Sequence, residues 1–171
     1  MLIQQSIDGS TRFFNRSWAE FKVGFNDSIG NYWLGNELLS QLTLTSRYKL
    51  KFDLQSRSNT NNWYSAVYST FIVLAESSNY TLHVSEYSGN AGLDALIYHD
   101  GMMFTTYDRD NDLAPSANCV DNAGGGFWHK KCDRCEVNSV RGGIHPSHDF
   151  CWHGLPGGKA LQSSRMWLQC K

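Results

Sequence analysis

The segment FTTYDRDND at positions 104–112 carries more information about the fold than any other stretch of this chain. It places carboxylates at the alternate positions Asp108, Asp110 and Asp112. Such a loop can surround a hard cation, because calcium accepts about six to eight oxygen ligands, including backbone carbonyls and water. The EF-hand pattern is not met, since Leu113 stands where that motif has glycine. The segment therefore predicts a calcium loop of another kind, with a solvated acidic turn as the alternative.

A loop bounded by cysteines follows the acidic segment. Cys119 and Cys132 stand 13 positions apart, and a bridge between them would stabilise the fold by about 3 kcal/mol because it restricts the unfolded chain. Inside the loop, glycines at 124–126 precede Phe127 and Trp128. This pattern predicts either a binding platform or a glycine-rich turn anchored by core aromatics. The residue types alone favour the turn.

Cysteines and glycosylation sequons indicate the compartment. Five cysteines occur, all in the C-terminal third: Cys119, Cys132, Cys135, Cys151 and Cys170. Three N-x-S/T sequons begin at Asn15, Asn26 and Asn79. Together they favour secretion into an oxidising setting, where disulfides persist. The first residues lack the apolar stretch of a signal peptide, so we expect an N-terminally incomplete piece of a longer secreted protein.

The cysteine-rich region is also a candidate zinc site. The candidate ligands are the CxxC pair Cys132 and Cys135, followed by His145, His148, Cys151 and His153. No second CxxC completes the pattern, and the histidines are equally consistent with exposed loop residues. The sequence has no GxSxG nucleophile motif. An enzyme that uses zinc is therefore the weakest of three functional hypotheses.

Composition and periodicity predict one domain built on an antiparallel sheet. The 171 residues are 41% hydrophobic and 18% charged, with a net charge of −1. This is a globular composition without the basic field that attracts nucleic acid, and no apolar run approaches the roughly 20 residues of a membrane span. Apolar and polar residues alternate over 48–54, 65–74 and 80–84, which predicts strands with one buried face. The helical signals, around 17–21 and 36–39, are short.

Seven sequence blocks occur in an order typical of one family. They are IDGS at 7–10, FNRSW at 14–18, YWLGNE at 32–37, YSGNAG at 87–92, FTTYDRDND at 104–112, NC at 118–119, and GFW at 126–128 leading to Cys132. From about Leu2 to Met166 the chain resembles the fibrinogen C-terminal (fibrinogen-related) domain of ficolins, tachylectins, angiopoietins and tenascins. The resemblance implies an α+β fold: a twisted antiparallel sheet, short flanking helices and a loop-rich subdomain for calcium and ligand.

The resemblance also sets the expected domain boundaries. We expect a single domain over residues 1–171 that lacks the family's usual N-terminal subdomain. Its sheet-containing part would span 1–100, its loop-rich part 101–165, and its closing strand 166–171.

The resemblance further implies a Ca²⁺ site and a set of disulfides. The calcium ligands would be the side chains of Asp110 and Asp112 and the backbone carbonyls of Ala114 and Ser116. The family disulfide maps onto Cys119 and Cys132, and the Lys131–Cys132 peptide bond would be cis, as it often is in lectin members. Cys135 and Cys151 are additional cysteines, which we expect to bridge and so compensate for a shortened loop.

A pocket for acetylated sugars lies beside that disulfide in the family. The candidate ligand-binding residues are Phe127, Trp128, His129, Lys131, Cys132, Asp133 and Trp152. Asp133 replaces the family's histidine, and the loop between Cys132 and Trp152 is shorter than usual. We therefore expect a remodelled pocket.

The leading hypothesis is a secreted, non-enzymatic, calcium-stabilised module with lectin-like binding of acetylated glycans in innate defence or adhesion. The alternative is a protein-binding module, either a receptor ligand or a matrix component, of the angiopoietin or tenascin type. The expected partner is thus a glycan or an extracellular protein, with neither nucleic acid nor membrane insertion involved. Oligomerisation through regions outside this chain would supply avidity.

Overall fold

The computed structural model describes residues 1–9, 13, 15–121, 124–132, 134–141 and 149–171. Its strands are β1 (Leu2–Ser6), β2 (Phe25–Asn26), β3 (Tyr32–Trp33), β4 (Tyr48–Ser56), β5 (Trp63–Val73), β6 (Leu82–Gly89), β7 (Cys135–Glu136), β8 (Cys151–Trp152) and β9 (Leu161–Cys170). The helices are α1 (Trp18–Val23) and α2 (Asn36–Thr43), and 3₁₀ turns lie at Glu76–Ser78 and Leu96–His99. No helix in these described ranges is long and apolar enough to cross a membrane.

The main sheet has seven strands in the order β2-β3-β1-β9-β4-β5-β6, and β7 pairs with β8 in a separate ribbon. Neighbouring strands of the main sheet are antiparallel throughout. The expected α+β fold, an antiparallel sheet with short helices, is confirmed. Between Gly101 and Ala160, the described residues contribute only the two-residue strands β7 and β8 as regular structure.

The last strand lies in the middle of the sheet, between β1 and β4. It begins at Leu161, five residues before the predicted start at Met166, because the consecutive polar residues Ser163 and Ser164 hide the alternation. Both serines are buried. The Ser163 hydroxyl donates to the carbonyl of Ser6 at 2.9 Å, so the hydrogen-bonding needs of this polar stretch are met inside the sheet.

The inward face of β4 and β5 forms one side of the core. Leu50, Phe52 and Leu54 are fully buried, and the register places Leu50 opposite Tyr68 and Phe52 opposite Ala66. Directly opposed residues share a face of an antiparallel pair. The predicted two-residue period is therefore confirmed in β4. In β5 it is interrupted, because the buried positions pass from Ala66 and Tyr68 to Phe71 and Val73.

An aromatic cluster around Trp128 joins the sheet to the loop-rich part. The Trp128 ring centroid lies 6.1 Å from that of Trp33, 5.2 Å from that of Phe104 and 6.4 Å from that of Phe71. The indole N–H donates to the carbonyl of Tyr80 at 2.7 Å. Aromatic pairs of this kind contribute about 0.5–1.5 kcal/mol each beyond area burial. The cluster therefore fixes the irregular loops against regular structure.

A buried amide in β1 provides a test of the contact between sheet and loops. The Gln4 side-chain nitrogen lies 2.9 Å from the carbonyl oxygen of Val137 and 3.1 Å from both Asn138 Oδ1 and Ser164 Oγ. Gln4→Ala should lower the free energy of unfolding by about 1–3 kcal/mol, because buried acceptors lose their donor. The matched control is Gln41→Ala on the exposed side of α2, where we expect a change within about 0.5 kcal/mol. Urea unfolding measures both values, and equal effects would contradict the role of Gln4.

Candidate functional site

The three carboxylates of the acidic loop (residues 108–116) have two different roles. Asp108 Oδ1 accepts hydrogen bonds from the backbone N–H of Trp18 and the hydroxyl of Thr106, both at 2.8 Å. This carboxylate therefore fixes the start of α1 to the acidic loop. The alternating sequence pattern did not distinguish it from Asp110 and Asp112.

Asp112 lies at the centre of the loop and is half-buried. Its Oδ1 accepts from the N–H of Ala114 and its Oδ2 from the N–H of Cys119, both at 2.7 Å. The N–H of Asp112 in turn donates to Asp110 Oδ1 at 3.1 Å. The side chains of Asp110 and Asp112 thus accept hydrogen bonds within the same short backbone turn.

Burial raises the pKa of the Asp112 carboxyl above its ordinary value. The negative charge of Asp110 raises this pKa further, while the N–H groups of Cys119 and Ala114 and the nearby His129 act in the opposite direction. An acid held in this way is ionised at a cost, which a bound cation would remove.

The acidic loop has the donor chemistry of a hard-cation site. Within the described part of the chain, no hydrogen bond uses the carbonyl oxygens of Ala114 and Ser116. Together with the carboxylates of Asp110 and Asp112, these carbonyls offer oxygen donors only, a chemistry that calcium prefers and zinc does not. Asn111 supports the loop from below, since its side-chain nitrogen donates to the carbonyl of Phe104 at 2.7 Å. Sequence reasoning did not assign this role to Asn111.

The disulfide loop lies directly against the acidic loop. Cys119 and Cys132 form a disulfide, as the resemblance implies, and the N–H of Leu113 donates to the carbonyl of Lys130 at 2.7 Å. The expected cis bond is wrong, because every peptide bond of the described residues, Lys131–Cys132 included, is trans. The turn is made instead by Cys132, which adopts a left-handed φ of 62°.

The predicted aromatic platform is buried, so this expectation is corrected. Phe127, Trp128, His129 and Trp152 are all fully buried. The indole N–H of Trp152 donates to the backbone carbonyl of Leu93 at 3.2 Å. These side chains form core, and a ligand in solvent cannot reach them in this conformation. Of the other predicted ligand-binding residues, Lys131 is exposed, Cys132 is half-buried, and Asp133 lies outside the described residues.

The glycines of the disulfide loop explain this burial. A Cβ atom on Gly126 would collide with the Phe21 ring, and one on Gly125 would collide with the carbonyl of Asn138. The glycines therefore let the loop approach the core closely. Of the two interpretations of this segment, the turn anchored by core aromatics is confirmed.

Two buried histidines lie beneath the loop. His99 Nδ1 is 2.8 Å from the carbonyl of Trp128, and its Nε2 accepts the N–H groups of Arg134 and Cys135, both at 3.2 Å. These partners require the neutral tautomer with the proton on Nδ1. Sequence reasoning did not identify His99, because an isolated histidine after a tyrosine carries no signal.

His129 is paired with an acid in the core. Its Nε2 lies 3.0 Å from the carbonyl of Gly125 and 3.6 Å from Glu136 Oε1, and the side chains of His129 and Glu136 are fully buried. The sequence indicated His129 as a ligand contact, whereas the structure places it in contact with the glycine turn. His129 is therefore a buried polar residue that supports the disulfide loop.

No disulfide joins Cys135 to Cys151, so the expected second bridge is wrong. The β7–β8 register places Cys135 opposite Trp152, and Cys151 opposite Glu136. Opposed residues share a face and adjacent residues alternate, so the two sulfur atoms point to opposite sides of the ribbon. A disulfide needs side chains directed towards each other.

Zinc has no support among the described residues. No group of three or more His, Cys, Asp or Glu side chains there is arranged to share a metal ion. Two of the candidate ligands, His145 and His148, lie outside the described residues.

The sequons differ in accessibility. Asn15 and Asn26 are exposed. Asn79 is half-buried, and its side-chain oxygen accepts a hydrogen bond from Arg109 at 2.7 Å. We therefore expect the first two to be the better glycosylation sites.

Comparison with known proteins identifies the family. Residues 1–170 match the family model described as "Fibrinogen beta and gamma chains, C-terminal globular domain". The chain belongs to the fibrinogen C-terminal domain family. The resemblance recognised in the sequence is thereby confirmed, and the acidic and disulfide loops are parts of a fibrinogen-like domain.

Individual relatives show the extent of the similarity. Microfibril-associated glycoprotein 4 of Bos taurus is 38% identical over 153 residues, which cover 86% of this chain and 58% of that protein. The fibrinogen-like globe domain of human ANGPTL2 is 36% identical, with a TM-score of 0.85, over 99% of this chain and 79% of that one. Lamprey fibrin D-dimer, solved with the peptide ligand Gly-His-Arg-Pro-amide, is 29% identical, with a TM-score of 0.81, over 98% of this chain and 60% of that one. The fibrinogen-like domain thus spans less than two thirds of the glycoprotein it matches.

The raised pKa of Asp112 predicts a pH dependence in the presence of chelator. The folded state binds this proton more tightly than the unfolded chain, so the contribution of Asp112 to the free energy of unfolding is most favourable below the unfolded pKa and falls as pH rises through the folded pKa. In the variant Asp112→Asn, the side chain at position 112 is an amide and does not titrate. In EDTA, the stability of wild type relative to this variant should therefore decline as pH rises over a range that begins at the ordinary Asp pKa of about 4. Urea unfolding across this range measures the difference, and an increase with pH would contradict the assignment.

Proposed function

We propose that this fibrinogen-like domain is an extracellular, calcium-stabilised recognition module that binds a protein or peptide segment and performs no catalysis. The observation that carries the proposal is the burial of Phe127, Trp128, His129 and Trp152. Sugar recognition relies on accessible flat rings, and burial removes these four from contact. Instead, Lys131 at the end of the disulfide loop and Arg134 just after it are exposed, and such cationic side chains suit a protein surface.

Several observations support an extracellular setting. The Cys119–Cys132 disulfide persists only under oxidising conditions, and the sequons at Asn15 and Asn26 are accessible. One relative is named a microfibril-associated glycoprotein. The lamprey fibrin D-dimer was solved in complex with a peptide ligand, which supports peptide binding as a use of this fold.

Calcium would bind at the acidic loop through the side chains of Asp110 and Asp112 and the carbonyls of Ala114 and Ser116. The ion would neutralise two neighbouring carboxylates and supply no redox or acid–base chemistry. Leu113 lies between these ligands and donates its N–H to Lys130. An ordered acidic loop would therefore also hold the disulfide loop in place.

Calcium titration tests this site. Calcium at about 100 times its dissociation constant should stabilise the wild-type domain by about 2.7 kcal/mol, a rise in Tm of roughly 5–10 °C for a domain of this size. Asp112→Asn should lose most of this rise, because the ion loses a charged ligand. The matched control is Asp121→Asn, an exposed aspartate in the same region, which should retain it. Calorimetric titration showing equal calcium affinity in both variants would remove the site assignment.

Recognition of acetylated glycans is the competing function, and one experiment separates it from peptide binding. The oxidised domain is applied to an array of synthetic peptides of varied charge and to an array of acetylated and non-acetylated glycans, first in calcium and then in EDTA. We expect calcium-dependent capture on the peptide array. Capture only on acetylated glycans, competed by free N-acetylglucosamine, would overturn the proposal.

A further inference from the structure

A mixed cationic and apolar surface lies beside the disulfide loop. We call it the Tyr98 patch, and it consists of Leu93, Ile97, Tyr98, Lys130 and Arg134. Leu93 is 67% exposed and Ile97 47% exposed, and these are large aliphatic side chains in contact with water. None of the five belongs to the acidic loop or to the buried aromatic cluster.

The 3₁₀ turn Leu96–His99 orients the patch. Leu96 and His99 are buried and anchor one side of the turn in the core. Ile97 and Tyr98 lie between them and occupy the outward side. The carbonyl of Leu93 accepts the indole N–H of Trp152, and Trp152 pairs with Cys135, the residue that follows Arg134. Leu93 is thereby tied to the strand that begins beside Arg134.

Two cations are held at the Tyr98 ring. The ammonium nitrogen of Lys130 and the guanidinium carbon of Arg134 each lie 5.2 Å from the ring centroid. Both distances are within the range of cation–π attraction. The two positive charges are therefore at most twice this distance apart.

The backbone holds both cations in place. At Lys130, the N–H donates to the carbonyl of Cys132, and the carbonyl accepts from Leu113. At Arg134, the N–H donates to His99 Nε2, and the carbonyl accepts from His153. A fixed backbone limits the conformational entropy that these side chains lose when they bind a ligand.

The positive charge of the patch is not neutralised within the described structure. No described carboxylate forms an ion pair with Lys130, Lys131 or Arg134. Two acids flank the 3₁₀ turn. Asp94 accepts the hydroxyl of Tyr68 at 2.6 Å and the N–H of Ile97 at 3.1 Å, and Asp100 accepts the N–H of Val84 at 2.9 Å. Two like charges beside one ring are stabilised by an incoming anion.

We propose that the Tyr98 patch binds an acidic peptide segment that also carries aliphatic or aromatic side chains. Carboxylates of the segment would meet Lys130 and Arg134, and its apolar side chains would cover Leu93 and Ile97. Exposed aliphatic side chains offer nothing to a sulfated polysaccharide, so charge together with apolar surface favours a peptide. This inference rests on the proposed function and adds the chemistry of the partner.

Fluorescence anisotropy with four probes tests the ligand class. The probes are a labelled peptide alternating Asp or Glu with Leu or Phe, its Asn and Gln counterpart, its counterpart with Ser in place of Leu and Phe, and a heparin oligosaccharide. The calcium-loaded, oxidised wild-type domain should bind the first peptide roughly tenfold more tightly than either counterpart. This binding should weaken as salt is raised. Heparin bound as tightly as the first peptide would identify a general polyanion surface and overturn the proposal.

Matched variants test the location. The double variant Lys130→Gln, Arg134→Gln should weaken binding of the first peptide by about tenfold or more. Arg47→Gln, at an exposed arginine immediately before β4, should not. Leu93→Ser should weaken binding about threefold or more, whereas Leu44→Ser, 50% exposed, should not. Each variant is first shown to keep the wild-type Tm in calcium.

The outcomes separate this inference from the proposed function. Tight peptide binding that the double variant leaves unchanged would overturn the Tyr98 patch and leave peptide recognition intact elsewhere on the domain. Absence of binding to every peptide on the array would overturn both.

Discussion

The burial of Trp128 is the constraint on which the rest of this fibrinogen-like domain depends. Its indole N–H is bonded to Tyr80, its carbonyl accepts from His99, and its ring packs on Trp33 and Phe104. These partners come from separate parts of the chain. Because the region between Gly101 and Ala160 has little regular structure of its own, such contacts supply the order that strands and helices supply elsewhere.

Because the buried Trp128 fixes the disulfide loop to the core, the segments that contact this loop are positioned as well. The Leu113 to Lys130 hydrogen bond joins the acidic loop to the disulfide loop, and His99 holds Arg134 from beneath. The same contacts therefore position the disulfide, the charged surface patch and the proposed cation site. Loops carried by a rigid scaffold in this way are where binding surfaces usually lie.

Sequence reasoning succeeded where a residue's role depended on its immediate neighbours and failed where it depended on distant ones. Alternation over 48–54 predicted a half-buried strand because the pleat alone sets which side chains share a face. Ser163 and Ser164 concealed the start of β9, because their partner Ser6 lies at the other end of the chain. The order of the FTTYDRDND and GFW blocks identified the family without any tertiary information.

By itself, the sequence determined the family, the α+β class, the Cys119–Cys132 pairing by resemblance, and the oxygen-rich chemistry of Asp110 and Asp112. Only the tertiary structure decided that Phe127, Trp128, His129 and Trp152 belong to the core, and that Cys135 and Cys151 face opposite sides of a ribbon. The physical reason is that residue type sets what a side chain can do, whereas burial and direction arise from contacts with segments distant in the chain. An aromatic next to a glycine turn is equally suited to a ligand or a core until its neighbours are placed.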